Sequence, residues 1–199
     1  MERTANPWYK PSTFIQGVLV RSDKKIHLYL IPFIMLGYLI QGFLSSLATN
    51  SVPASALFNG KAVGWILGIY FFGCVVLYAA TSIFALVFNK ISKGLFKGDG
   101  SVARIRVALL SAYAICFPLS LAILGLQLWF NYDYLSITNC SLVALTAIFA
   151  LYTQLKSLSM ACKFSKLHAF LSSILAGLLI LLLLAAIVGI MLFFSSFIK

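Results

Sequence analysis

Apolar residues in this chain fall into five long runs separated by short polar gaps. Each run lacks charged residues and has close to the roughly 20 residues that a helix needs to cross a hydrocarbon core of about 30 Å. The fourth run is the least apolar, because Thr138, Asn139 and Ser141 stand near its start. The pattern predicts an all-α integral membrane bundle of five transmembrane helices in one domain, 1–199. The predicted spans are 28–48, 63–88, 107–128, 136–155 and 169–198.

The segment before the first span, 1–27, has an amphipathic pattern of its own. Apolar residues recur at helical spacing on one face, and these are Phe14, Ile15, Val18 and Leu19. We expect a short interfacial helix, with aromatic residues just before it at the level of the lipid headgroups. The helix either anchors the N-terminus or docks a partner. Its candidate contact residues are Trp8, Tyr9 and Pro11.

The positive charges lie on one side of the predicted spans. Of the 15 Lys and Arg residues, only Lys61 and Lys199 fall on the other side. Short basic loops stay cytoplasmic, so the pattern predicts a cytoplasmic N-terminus, five crossings and an outside C-terminus. Topology also explains the net charge of +11 without nucleic acid, and it favours contact with anionic lipid headgroups.

The gap between the second and third spans is rich in glycine and lysine. Its three glycines are expected to end the helix in a tight hairpin, and Ser101 suits the N-cap of the next helix. A phosphate-binding loop is not predicted, because the motif G-x-x-x-x-G-K-[ST] is absent. Arg104 and Arg106 are expected at the headgroup boundary, where they either bind phosphate or orient the chain. The candidate partner or headgroup contacts here are Gly94, Gly98, Gly100, Ser101, Arg104 and Arg106.

No constellation in the sequence carries chemistry. The spans contain no ionisable Asp, Glu, Lys, Arg or His, which usually mark ion pathways and catalytic sites in membranes. His27 and His168 stand alone at span edges, and the 4 cysteines form no CxxC pair. The nucleophile motif G-x-S-x-G is also absent. We therefore expect no catalytic residues, no metal, no cofactor and no enzymatic activity.

Small and polar residues inside the spans suggest how the helices associate. Gly64 with Gly68, and Ser173 with Gly177, have the spacing that lets helices approach closely. They are expected to pack the bundle internally or to join two copies as a homo-oligomer. Pro118 is expected to kink the third span. Three glutamines serve either as hydrogen-bonding contacts between helices or as the lining of a polar cavity, and these are Gln41, Gln127 and Gln154.

Two segments resemble the Yip domain family of Ypt- or Rab-interacting membrane proteins, in particular its compact bacterial branch. They are NPWYKPSTFIQGVL at 6–19 and GLFKGDGSVARIRVALLSAYAICFPLSLAIL at 94–124. The resemblance implies a five-helix bundle with a cytosolic N-terminus, and its bacterial branch implies a location in a bacterial inner membrane. In eukaryotic members it also implies small-GTPase binding, but this chain lacks their long N-terminal region, which argues against GTPase binding here.

The expected function is that of a non-enzymatic interaction or organising protein for membrane lipids or protein partners. The alternative is a small transporter or lipid-translocating protein. Its substrate would be apolar or amphipathic, because the spans carry no charge to couple to ions. Glutamines that converge on one wet cavity would favour transport, and scattered glutamines would favour the organising role.

Overall fold

A computed structural model describes residues 11–20, 26–48, 60–130 and 137–197, and the described elements are all α-helices. In chain order these are α1 (Pro11–Val20), α2 (Ile26–Ala48), α3 (Gly60–Phe96), α4 (Val102–Phe130), α5 (Ile137–Cys162) and α6 (Lys166–Phe197). Each predicted span overlaps one of the helices α2 to α6, and α1 is the predicted N-terminal helix. The all-α class is confirmed.

Three helices are long and apolar enough to cross a membrane within the described residues. Their apolar stretches are Ala62–Phe96, Val102–Gly125 and Lys166–Met191. The described apolar part of α2, Leu28–Phe43, is shorter. The chain therefore has the helices of a membrane protein, whereas five crossings stay a prediction.

The third helix is longer than its predicted span. It continues past Phe88 to Phe96, so that Gly94 lies inside the helix and does not end it. At a rise of about 1.5 Å per residue, its 37 residues extend over about 55 Å, well beyond the hydrocarbon thickness. The expected hairpin at 89–101 is thus reduced to the five residues 97–101. Tertiary packing outweighs the cost of one helical glycine, about 1 kcal/mol.

Helix α4 is the central element of the bundle. It packs against α1, α2, α3 and α5, while α6 packs against α3 and α5. The first part of α4 is almost wholly buried, as the side chains of Ile105, Leu110 and Ile115 show. The helix continues through Pro118 to Phe130, and the kink expected at Pro118 stays a prediction.

Helix α1 packs on the protein through its apolar stripe. Ile15 is 0% and Leu19 4% exposed, and the helix contacts α4 and α5. The predicted amphipathic helix is present, but these two side chains are covered by the bundle and not by lipid. Trp8 and Tyr9 lie outside the described residues.

The two ends of the bundle differ in packing. The larger core cluster joins α1, the end of α3, the start of α4, the end of α5 and the start of α6. Toward the other end, side chains of α3 and α6 such as Trp65, Phe72, Leu182 and Met191 are exposed. Exposed apolar surface of this extent suits contact with lipid.

The small-residue pairs are not where these helices approach most closely. A Cβ added at Gly64, Gly68 or Gly177 would meet nothing within 4 Å among the described residues, and association of helices through these residues stays a prediction. The hydroxyl of Ser173 donates to the Ala169 carbonyl of its own helix. The close approaches are instead at two other glycines, Gly37 against Phe117 and Gly73 against Met35.

Candidate functional site

The candidate site is the end of the bundle where the larger core cluster lies, and we call it the basic end. Eight basic side chains of the described residues belong to it. They are Lys90, Lys93, Lys97, Arg104, Arg106, Lys156, Lys163 and Lys166. Asp99 is the single acid of the described residues. This part of the molecule therefore has a strong positive surplus.

The α3–α4 linker, 97–101, folds back onto the ends of two helices. Lys97 has a positive φ of 53°, the left-handed conformation that commonly ends a helix. The Gly98 N–H then donates to the Ser92 carbonyl at 2.9 Å, and the Asp99 N–H donates to the Cys162 carbonyl at 3.0 Å. The second bond satisfies one of the carbonyls that α5 leaves open at its C-terminus.

The linker glycines are packing residues. Gly98 and Gly100 are both buried, and a Cβ at Gly100 would lie 2.6 Å from Cys162 Sγ. Protein atoms cover these two glycines, and a contact with a partner or headgroup at either of them stays a prediction. Gly94 is exposed and stays a candidate.

Ser101 is the N-cap of α4, as predicted. Its hydroxyl accepts a hydrogen bond from the Arg104 N–H at 3.3 Å, and its carbonyl accepts from the Ile105 N–H at 3.0 Å. Ser101 is exposed, so it is also accessible from outside the protein.

The one described acid is already paired. Lys163 Nζ donates to Asp99 Oδ2 at 3.0 Å. The hydrogen bond and charge of Lys163 lower the pKa of Asp99, with smaller contributions from Lys93 and Arg104. Both side chains are largely exposed, so the pair adds little stability. It leaves the other basic groups without a carboxylate partner among the described residues.

An aromatic cluster closes the α5–α6 hairpin. Lys163 has a φ of 56°, and the Phe164 N–H donates to the Ser159 carbonyl, as in a Schellman ending. The His168 ring stacks on Phe96 and Phe164 with centroids 4.9 and 6.1 Å apart. His168 is thus a packing residue at the start of α6. The described residues contain no group of three His, Cys, Asp or Glu side chains that could hold a metal ion.

Arg104 and Arg106 diverge although they are two residues apart. Arg104 lies in the first turn of α4, near Asp99 and Cys162. The Arg106 guanidinium lies 4.8 Å from the centre of the Tyr78 ring, and its Nη1 donates to Tyr78 Oη at 3.2 Å. Tyr78 is 12 residues before Lys90, about 18 Å along α3. Arg106 therefore contacts a residue well inside the predicted span, not only its boundary.

A second tyrosine, Tyr152 on α5, also lies beside basic side chains. Lys166 Nζ lies 4.6 Å and Lys156 Nζ 5.7 Å from the centre of the Tyr152 ring. Tyr78 and Tyr152 were not among the residues that the sequence singled out. The signal that could have found them is a tyrosine within about three turns of a basic cluster, where its hydroxyl is within reach of a long cationic side chain.

Cys162 is an interior residue of the basic end. It is 0% exposed, and burial raises its pKa to about 11. A thiol of that kind is protonated at neutral pH and unreactive. This position suits a packing role for the cysteine.

Comparison with family models, with curated proteins and with solved structures finds no match to this chain. The function is therefore argued from the geometry and charge of the basic end alone.

Proposed function

We propose that this chain is a non-enzymatic membrane protein that organises anionic lipids or protein partners through its basic end. The observation that carries the proposal is the charge surplus there, since the described residues include a single acid and that acid is paired with Lys163. Basic groups near a membrane surface attract anionic lipids, at about 1 kcal/mol per Lys or Arg.

The packing of the same end supports an organising role. Five helices contribute side chains to its core, so the backbone that carries its surface groups is well packed. Exposed groups around it include Lys93, Leu95 and Ser101. A fixed arrangement of charges and apolar groups favours recognition, because little entropy is lost when a partner binds.

Orientation and family belong to the same proposal. We propose five crossings, with the basic end cytoplasmic according to the positive-inside rule, and a bacterial inner membrane as the location. The resemblance to the Yip domain family stays a proposal too. The partners that we propose are lipids, a membrane protein or a second copy.

Transport is the alternative, and two of the three span glutamines, Gln41 and Gln154, have described side chains. Gln41 lies 15 residues from the start of α2, about 22 Å, whereas Gln154 lies eight residues from the end of α5, about 12 Å. Helix α4 is a common neighbour of α2 and α5. The two amides therefore lie on different helices, at different distances from the helix ends. The Gln127 side chain lies outside the described residues.

Site-specific photo-crosslinking in cells tests the proposed function. A photoreactive residue replaces Leu95, which is 65% exposed at the basic end. The control position is Phe72, which is 71% exposed toward the other end. Gly98 is unsuitable because a side chain there would meet Ser92 and Cys162.

The expected result is a defined protein or an enrichment of anionic lipid from Leu95 that is absent from Phe72. The same unselective lipid mixture from both positions would contradict an organising role for the basic end.

A further inference from the structure

Arg106 is a cation whose hydrogen bonds are incompletely satisfied. A guanidinium has five N–H donors, and the structure pairs one of them, Nη1, with Tyr78 Oη. The Nε of Arg106 has no hydrogen-bond partner among the described residues and is buried, so a ligand reaches the guanidinium through its Nη groups. Asp99, the one acid of the described residues, is bound by Lys163. A further anionic acceptor would complete this site.

The surface between Arg106 and the basic groups of α3 is apolar. Helix α3 runs from Tyr78 toward Lys90, and Ile83 and Leu86 on this stretch are 53% and 50% exposed. On the other side of Tyr78, Val75 and Phe71 are 66% and 65% exposed. These two residues lie three and seven positions before Tyr78 and thus on its helical face.

Tyr78 lies well inside the predicted second span, so the Arg106 guanidinium beside it would lie close to the hydrocarbon. An isolated cation there is costly, and such groups pair with anions or extend to the headgroups. The anion must be a strong acceptor with a planar or tetrahedral group of oxygens to match the guanidinium fork. It must also carry an apolar part that can lie along Val75 and Phe71. A phospholipid meets both conditions, because its phosphate and acyl chains are joined in one molecule.

We propose that Arg106 and Tyr78 form a binding site for the phosphate of an anionic phospholipid, with its acyl chains along α3. The guanidinium contributes charge and N–H donors, and the Tyr78 hydroxyl holds the guanidinium in place by accepting a hydrogen bond from Nη1. Lys90 lies farther along α3 on the basic side and attracts the lipid without defining this site. The inference rests on the proposed function and names the ligand class of the basic end.

The test measures lipid binding to the purified full-length chain by native mass spectrometry in detergent. The probe is phosphatidylglycerol, with phosphatidylcholine for comparison. The variants are Arg106→Gln and Tyr78→Phe, and the matched control is Lys90→Gln, which removes the same charge from an exposed position. We expect Arg106→Gln to weaken phosphatidylglycerol binding about tenfold, as for loss of a charge-assisted hydrogen bond. Lys90→Gln should change it less than about threefold.

Three results would overturn the site. The first is equal binding of phosphatidylglycerol by Arg106→Gln and the unaltered chain. The second is a loss of binding in Lys90→Gln as large as that in Arg106→Gln, as diffuse charge would cause. The third is full displacement of the lipid by inorganic phosphate at millimolar concentration, which would make the ligand a free anion. If Arg106→Gln does not fold, Tyr78→Phe decides, because it removes only the hydroxyl. Unchanged lipid binding by that folded variant then contradicts the site.

The failure of this site and the failure of the proposed function are distinguishable. Crosslinking from Leu95 does not depend on Arg106. A protein partner recovered there, together with unaltered lipid binding by Arg106→Gln, would keep the organising role and discard the phosphate site.

Discussion

Gly100→Ala should destabilise the basic end through a single new methyl group. The added Cβ would lie 2.6 Å from Cys162 Sγ and 3.4 Å from both Cys162 Cα and Ile105 Cδ1. Favourable contacts between non-bonded heavy atoms lie near 3.5–4.0 Å, so the sulfur must move by about 1 Å. Cys162 is fully buried, which leaves it little room. Overpacking of this kind costs about 1–3 kcal/mol.

A double-mutant cycle with Cys162→Ala isolates this contact. Removing Sγ alone should cost about 1 kcal/mol, close to the value of one buried methylene. In the double variant the new methyl occupies the space that the sulfur leaves, so the combined loss should be smaller than the sum. The expected coupling is about 1–3 kcal/mol. Gly94→Ala is the matched control, because its Cβ would meet nothing within 4 Å and should stabilise the helix by about 0.5–1 kcal/mol.

The assay is thermal unfolding of the purified chain in detergent, followed by circular dichroism and compared as shifts in Tm. Maleimide labelling of Cys162 gives a second measurement, in a chain whose other three cysteines are alanine. The thiol, with a pKa of about 11, should react slowly near pH 8 and faster after Gly100→Ala. Equal stability of Gly100→Ala and the unaltered chain, with no coupling to Cys162, would refute the packing argument.

Three further outcomes follow from the basic end. Phe88→Ala should cost about 3–5 kcal/mol because the ring is fully buried, whereas Phe72→Ala, at an exposed position, should leave the Tm nearly unchanged. Ser101→Ala should lower stability by about 0.5–2 kcal/mol through loss of the N-cap, and Ser101→Asp should restore it. The pKa of Asp99 is lowered in the folded chain. The Asp99–Lys163 pair should therefore stabilise the fold above the ordinary carboxyl pKa and lose that stabilisation as the pH falls through the folded-state pKa. The Tm measured from pH 6 to pH 3 should therefore fall slightly less steeply in Asp99→Asn than in the unaltered chain. An equal slope in the two chains would show that the pair does not contribute to stability.

The membrane class of this chain could be predicted from the order of its residues alone. Apolar runs of about 20 residues without a charge can satisfy their backbone groups in lipid only as helices. The amphipathic spacing around Ile15 likewise predicted α1, and the residue type of Ser101 predicted the cap of α4. These features depend on interactions within one helix or with the solvent, so a local pattern contains the necessary information.

The roles of the glycines depended on tertiary contacts. Gly94, Gly98 and Gly100 look alike in sequence, yet the first lies inside α3 and the other two are packed against Ser92 and Cys162. Gly64 and Gly68 have a known packing spacing, but a Cβ at either would meet nothing within 4 Å among the described residues. Which glycine permits a close approach depends on where a distant segment lies, and no local spacing reports that.

The sequence by itself determined that the chain is helical, apolar and strongly basic on one side, because length, hydropathy and charge are properties of single residues and short runs. Only the tertiary structure decided that Arg106 contacts Tyr78, 28 residues away, and that α1 lies against α4 and α5. Those contacts result from the way the helices pack around α4. Their partners come from different helices, and many packings are compatible with the same apolar pattern.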